Sequence, residues 1–168
     1  ADDELDDGDQ GYTITTGDAT STDGLYNGMV VADVSATNTD DDAAGITVSP
    51  TSGLTTTETG GTATFTVVLD TEPTASVAIG LSSSDVGEGT VSPASLTFTT
   101  ANWSTAQAVT VTGVDDDIDD DDQAYTIVTA TASSGDGNYN GRDPADVSVT
   151  NTDDDSVGVT VSPTSGLV

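Results

Sequence analysis

The first 55 residues and the last 55 are nearly the same text. Aligned without a gap at a constant offset of 113 residues, positions 1–55 and 114–168 are identical at 36 of 55 places. The matches include Gln10 with Gln123, Tyr12 with Tyr125, Tyr26 with Tyr139, Asn38 with Asn151, and the VSPTSGL run that begins at Val48 and again at Val161. A fixed long period is the signature of a tandem array, so the unit whose fold must be explained is 113 residues long. The expected division is residues 1–42 for the closing part of a preceding repeat, 43–155 for one complete domain, and 156–168 for the first strand of the next. A unit of this size can bury a two-layer core without covalent staples.

Within the complete unit the apolar residues alternate. Ala63, Phe65, Val67 and Leu69 point one way, and Thr62, Thr64, Thr66 and Val68 the other; that is the pattern of a half-buried strand. The same period of two recurs, with one irregularity, through Val77, Ala78, Ile79 and Leu81, then in Leu96 and Phe98, Val109 and Val111, Tyr125 and Ile127, and Val147 and Val149. No segment carries helical periodicity. Seven strands are expected: A at 45–49 with a kinked continuation near Leu54, B at 61–70, C at 75–83, D at 90–99, E at 107–114, F at 123–132 and G at 145–152. Seven short strands in about a hundred residues predict an all-β, immunoglobulin-like sandwich.

Charge decides which partners such an array can have. Thirty acidic residues face one base, Arg142, for a formal net charge of -29. Nucleic acid and anionic membrane are poor partners for such a chain, and small cations are good ones. The carboxylates sit in short blocks between long uncharged Val/Thr/Ile/Ala stretches, which separates this chain from disordered acidic sequences. Cysteine and histidine are both absent, so disulfides, thiolate metal sites and imidazole ligands are excluded and oxygen is left to bind metal. No apolar run of membrane-spanning length and no signal peptide is visible. Because the span opens in mid-repeat, export is inferred rather than read.

Strand parity gathers the acids. If neighbouring strands run alternately up and down, the A–B, C–D and E–F connections and the exit after G share one pole. Those places hold Glu58, then Asp85 and Glu88, then the Asp115–Asp122 stretch, then Asp153, Asp154 and Asp155. The opposite pole carries the B–C, D–E and F–G loops and is poorer in charge. Only Ser156 and Val157 separate the last aspartate from the next strand, too few for a flexible tether. The acidic end of one repeat therefore meets the charge-poor end of the next.

Carboxylates crowded in this way repel one another by about 1 to 4 kcal/mol per contact at about 4 Å. Calcium relieves this best, because it accepts six to eight oxygens at variable angles, whereas magnesium demands a stricter octahedron and softer metals want nitrogen or sulfur. An isolated aspartate run is ordinarily a solvated loop. Here the runs repeat in spacing, converge on one pole and consist almost wholly of aspartate. An EF-hand is excluded: counting from Asp115, the glycine position is Asp120, the twelfth position is Thr126, and no helices flank the loop.

Three stretches, GTATFTVVL at 61–69, LTFTTANWSTAQAVTVTGVDDDIDDDD at 96–122 and DVSVTNTDDD at 146–155, resemble the Calx-beta domain. That family of calcium-binding sandwiches occurs in sodium/calcium exchangers and in tandem in large bacterial surface proteins. The resemblance covers the whole repeat. It implies several calcium ions per repeat, with metal ligands at Glu58, Asp85, Asp115, Asp116, Asp117, Asp120, Asp153, Asp154 and Asp155, and with Glu88 as the alternative to Asp85. One departure is Gln123, where exchanger domains can place another acid, which leaves the number of ions open. The matching acids of the earlier copy are Asp2, Asp3, Glu4, Asp7, Asp40, Asp41 and Asp42. Their A–B and C–D partners fall before residue 1, so this first site is expected to be incomplete within the span.

Other motifs have ordinary explanations. The F–G loops DGLYNGM (23–29) and DGNYNGR (136–142) centre on a tyrosine that is expected to pack against the preceding domain rather than to stack on a sugar. Arg142 is expected to pair with a local aspartate. Asn102-Trp103-Ser104 is a formal glycosylation triplet, with Trp103 closing the core as the simpler reading. Threonine-rich strand faces resemble ice-binding surfaces but are also what a solvated strand prefers. Without histidine, cysteine or lysine only a carboxylate pair could catalyse, and these acids are pooled at a junction, so the chain is not expected to be an enzyme.

The expectation is therefore a calcium-binding structural repeat of an extracellular stalk or filament at the cell surface. Its partners would be neighbouring identical repeats, in the same chain or in adjacent subunits. The alternative is an adhesin repeat that itself binds a glycan or surface ligand.

Overall fold

A computed structural model describes residues 3–166. The described residues form strands and loops, and no helix is long and apolar enough to cross a membrane. The strands are β1 (Gln10–Ile14), β2 (Val34–Asn38), β3 (Ile46–Ser49), β4 (Leu54–Thr57), β5 (Thr62–Leu69) and β6 (Val77–Ser83). They continue with β7 (Gly89–Ser92), β8 (Ser95–Phe98), β9 (Gln107–Gly113), β10 (Gln123–Thr129), β11 (Ser133–Ser134) and β12 (Val147–Thr152).

From β3 onward these strands make two sheets. One has the order β3-β5-β9-β7; the other has the order β11-β6-β10-β12-β4, with β8 also pairing β6. The inward residues found by alternation close the space between them. Phe65, Val67, Leu69, Val109 and Val111 come from one sheet, and Val77, Ile79, Phe98, Tyr125, Ile127, Val147 and Val149 from the other, all buried. The fold is an all-β sandwich whose core is the set of period-two apolar positions.

Two expected strands prove to be pairs that change sheets. The first runs antiparallel to β5 as β3, then crosses at Pro50 and Gly53 to run parallel to β12 as β4. The span expected as one strand at 90–99 is likewise divided: β7 pairs β9 and β8 pairs β6. The break falls at Pro93, which has no N–H to continue a ladder. Alternation shows that Leu96 and Phe98 face inward but not that Val91 of β7 packs on the same core from the opposite wall.

The hairpin β1–β2 stands apart. Its register, Gln10 opposite Asn38 through Ile14 opposite Val34, is that of β10–β12, Gln123 opposite Asn151 through Ile127 opposite Val147. Tyr125 and Ile127 are buried, whereas Tyr12 and Ile14 are about half exposed.

Tyr139 of the 136–142 loop joins the core of the sandwich; its hydroxyl accepts the Thr71 N–H (3.1 Å) and donates to the Thr71 carbonyl (2.7 Å). The loop folds back over the pole because Asp136 accepts the N–H groups of Thr74 (2.7 Å) and Asn138 (2.8 Å). Arg142 Nε donates to the Asn138 carbonyl within the same loop (3.0 Å). Removing the phenol oxygen leaves Thr71 unsatisfied in the interior, so Tyr139→Phe is expected to lower the unfolding free energy by about 1 to 3 kcal/mol in urea titration. An unchanged midpoint would mean that water replaces the hydroxyl.

Candidate metal centre

The site is built where β4, β9 and β12 end. Glu58 follows β4 directly; its N–H donates to the Thr152 carbonyl (3.1 Å), and a tight turn through Gly60 returns the chain to β5. Its side chain is 2 % exposed. Gly113 ends β9 at a place where a Cβ would overlap the Thr57 carbonyl and the Asn151 amide oxygen, so only glycine lets the acidic loop start this close to Glu58. Asn151, also buried, ties three of the acidic segments together. Its Oδ1 accepts the Thr56 hydroxyl (2.9 Å), and its Nδ2 donates to the Val114 carbonyl (3.0 Å) and the Glu88 carboxylate (3.3 Å).

The aspartates hold one another's backbones. Asp153 is the hub: Oδ1 accepts the Asp155 N–H (2.7 Å), Oδ2 accepts the Asp121 N–H (3.0 Å), and its own N–H donates to Asp122 (3.2 Å). Asp121 adopts φ of 63°, a left-handed conformation that aspartate tolerates better than most residues. The Asp154 N–H donates to Glu58 Oε2 (3.2 Å).

This scaffold brings carboxylates together in two overlapping sets. One oxygen each from Glu58, Asp115 and Asp154 lie within 4.8 Å of one another, and so do oxygens of Glu58, Asp153 and Asp155. Glu58 belongs to both. The Oδ2 atom of Asp155 is buried and has no hydrogen-bond donor, a costly state for a charged oxygen. The electrostatics follow. Burial, together with the charges of Asp153 and Asp116, raises the Glu58 pKa despite the Asp154 N–H. Burial and then Asp153, Asp117, Asp154 and Asp115 raise that of Asp155. A cation that accepts several oxygens fits this donor set: a bound divalent ion would meet the orphaned oxygen and cancel the repulsion that raises both values.

The remaining acids singled out from sequence take other places. Asp116 and Asp117 lie close enough to act on Glu58 and Asp155 but outside both sets. Asp85 Oδ1 caps its own loop by accepting the Gly87 N–H (2.9 Å), Glu88 engages Asn151, and the Asp120 carbonyl accepts from Gln123 Nε2 (2.6 Å). In the earlier copy, Asp3, Asp7, Asp40, Asp41 and Asp42 line a pocket of about 30 Å³, room for one water-sized occupant. The Glu4 carbonyl accepts the Glu72 N–H (2.7 Å). Asp2 lies outside the described residues.

Residues not picked out from sequence also shape the site. Asp122 and Asp9 orient the terminal aspartates, and Asp119 and Asp6 reach forward to the start of the following segment. The 113-residue alignment pairs Asp119 with Asp6 and Asp122 with Asp9, and that identity was the available signal. Elsewhere, a depression of about 260 Å³ over β4, β10 and β12 is lined by Thr55, Thr126, Ser148 and Thr150 among others, with no carboxylate.

No family model matches the sequence, and no curated protein matches it. Among solved structures, the chain is similar to the apo form of the Calx CBD1 domain at 18 % identity and a TM-score of 0.49, covering 66 % of this chain and 96 % of that one. It is also similar to domains 4 and 5 of the S-layer protein SbsC, at 17 % identity and a TM-score of 0.40 over 86 % and 75 % of the two chains. A third is the E. coli chaperone DraB, at 8 % identity and 0.45 over 69 % and 59 %. All three scores lie below 0.5, and the all-β sandwich rests on the chain's own strand pairing and core.

Proposed function

We propose that the chain is a calcium-binding structural repeat of an extracellular stalk or filament, in which calcium at the junctions between repeats stiffens the array. The observation that carries this reading is the buried, donorless Asp155 Oδ2 beside Glu58, in a chain with a single base. Glu58, Asp115, Asp153, Asp154 and Asp155 are the proposed ligands, with Asp116 and Asp117 adding charge and Asp85, Glu88 and Asp120 recruited as the loops close. Asp3, Asp7, Asp40, Asp41 and Asp42 form the corresponding site of the preceding repeat. Calcium binds by linkage to folding: at a free concentration tenfold above the dissociation constant each ion stabilises the folded array by about 1.4 kcal/mol. Affinities of about 0.1 to 1 mM are typical of extracellular modules. The chain is read as non-enzymatic, since its carboxylates serve one pooled site and it contains no histidine, cysteine or lysine. The test is small-angle scattering of the 168-residue chain with millimolar calcium and after its removal. Calcium should sharpen and lengthen the distance distribution, and equal profiles would refute the stiffening. A glycan array run in parallel, if positive, would favour the adhesin reading instead.

A further inference from the structure

The two acidic loops can be compared in different surroundings. The loop 3–9 is followed by a complete domain, and the loop 116–122 by the segment from Ser156 alone. Their internal hydrogen bonds correspond. Leu5 N–H to Asp3 matches Ile118 N–H to Asp116, Gly8 N–H to Asp40 matches Asp121 N–H to Asp153, and Asp42 N–H to Asp40 matches Asp155 N–H to Asp153.

One matching pair points away from the carboxylate cup. Asp6 Oδ2 accepts the N–H of Ala44 (2.9 Å), and Asp119 Oδ2 accepts that of Val157 (2.7 Å), each 38 residues further on. Both loops therefore hold the first residues of the unit that follows. Where that unit is complete, the loop also sits on its charge-poor pole: the Glu4 carbonyl accepts the Glu72 N–H (2.7 Å) and the Asp6 carbonyl accepts Asn138 Nδ2 (2.6 Å). Leu5, between these two contacts, is part-buried; its counterpart Ile118 is 59 % exposed.

We infer that the outer edge of each acidic loop is a docking surface for the charge-poor pole of a further copy of this domain, and that Asp6 and Asp119 are its positioning residues rather than metal ligands. The inference rests on the repeat reading proposed above but not on calcium being bound. The loop is two-sided: Asp115 faces the cup, with Asp116 and Asp117 acting on it, while Ile118 and Asp119 face forward. The surface that docks and the surface that receives lie at opposite ends of the domain. Such a head-to-tail contact is heterologous and extends into an open array wherever its rotation does not close a ring, which suits a linear array. The pairing is made by neutral donors: the acidic loop meets the N–H groups of Ala44, Glu72 and the Asn138 amide.

The test is amide hydrogen exchange by NMR on the 168-residue chain, with bound calcium counted on the same samples. The Ala44 and Glu72 amides should exchange slowly with calcium present and after its removal. Asp6→Ala should speed both by about tenfold or more as the loop undocks, while Asp6→Asn, which keeps an acceptor oxygen, should leave them slow. The number of calcium ions bound should be the same in all three chains. Unchanged exchange in Asp6→Ala would overturn the inference, as would calcium removal that frees both amides as fully as that substitution does. A chain that binds no calcium yet keeps the expected exchange pattern would refute the proposed function and support the docking surface.

Discussion

Glu58→Gln is expected to abolish calcium binding at the complete site while making the calcium-free protein more stable than the wild type. Both effects come from one geometry. Glu58 contributes to each of the two carboxylate sets, so its loss removes a charged ligand from both, and calcium affinity falls with ligand charge count. Without the ion, the same carboxylate is a buried charge among Asp153 and Asp116, raised in pKa first by burial. Glutamine keeps the size and an oxygen for the Asp154 N–H, but removes the charge. The calcium-dependent rise in Tm, about 5 °C per site for a domain of this size, should vanish, and the calcium-free Tm should rise. Calorimetry with and without calcium, together with equilibrium dialysis, reads both. A variant that still binds the wild-type number of ions would remove Glu58 from the site, and a lower calcium-free Tm would show that its charge is otherwise compensated. Asp115→Asn touches only one set and should lose part of the response.

The asymmetry between Glu58 and Asp85 shows what a sequence carries and what it withholds. Parity places both at the acidic pole, and the hydrogen bonds Glu58 to Thr152, Val114 to Glu88 and Asp154 to Glu58 put the three connections and the exit there together. Which acid turns inward depends on side-chain direction within a loop. Glu58 follows β4 directly and inherits that strand's fixed geometry; Asp85 lies in a free-standing turn where its own Gly87 N–H competes for it. Strand alternation was legible for a similar reason, because burial on one face imposes a period of two. The sheet changes at Pro50 and Pro93 were not, since a strand reads alike whichever wall it lines. The inward turn of Tyr139 was not legible because a Gly/Asn-rich loop gives no period, and the Thr71 groups that hold the phenol lie 68 residues away in sequence. Asp119 was passed over as one aspartate in a run of them, and only its matched bond beside that of Asp6 separates it from its neighbours.

Acid should substitute for calcium. The Glu58 and Asp155 pKa values are raised above their ordinary 4.5 and 3.8, so the folded form holds these protons more tightly than the unfolded chain. Their contribution to stability is then fully present below the ordinary values and is lost as the pH rises through the raised ones. Asp136 works the other way. Burial opposes its ionisation, but the N–H groups of Thr74 and Asn138 and the Thr74 hydroxyl hold its pKa below 3.8, so its contribution persists at neutral pH and is lost only on further acidification. Between neutrality and about pH 4.5 the two raised groups dominate, and calcium-free protein should gain thermal stability as the pH is lowered. With calcium present the sign reverses, because protons displace the ion and Tm falls over the same range. Global self-repulsion from a net charge of -29 acts in the same direction on the calcium-free chain, but salt screens it over about 8 to 10 Å, whereas the contact repulsion inside the cup survives. The decisive comparison is therefore the calcium-free pH profile of wild type and Glu58→Gln in moderate salt, followed by thermal melts. A flatter profile in the variant assigns the effect to the cup; parallel profiles would assign it to overall charge and not to the Glu58 carboxylate.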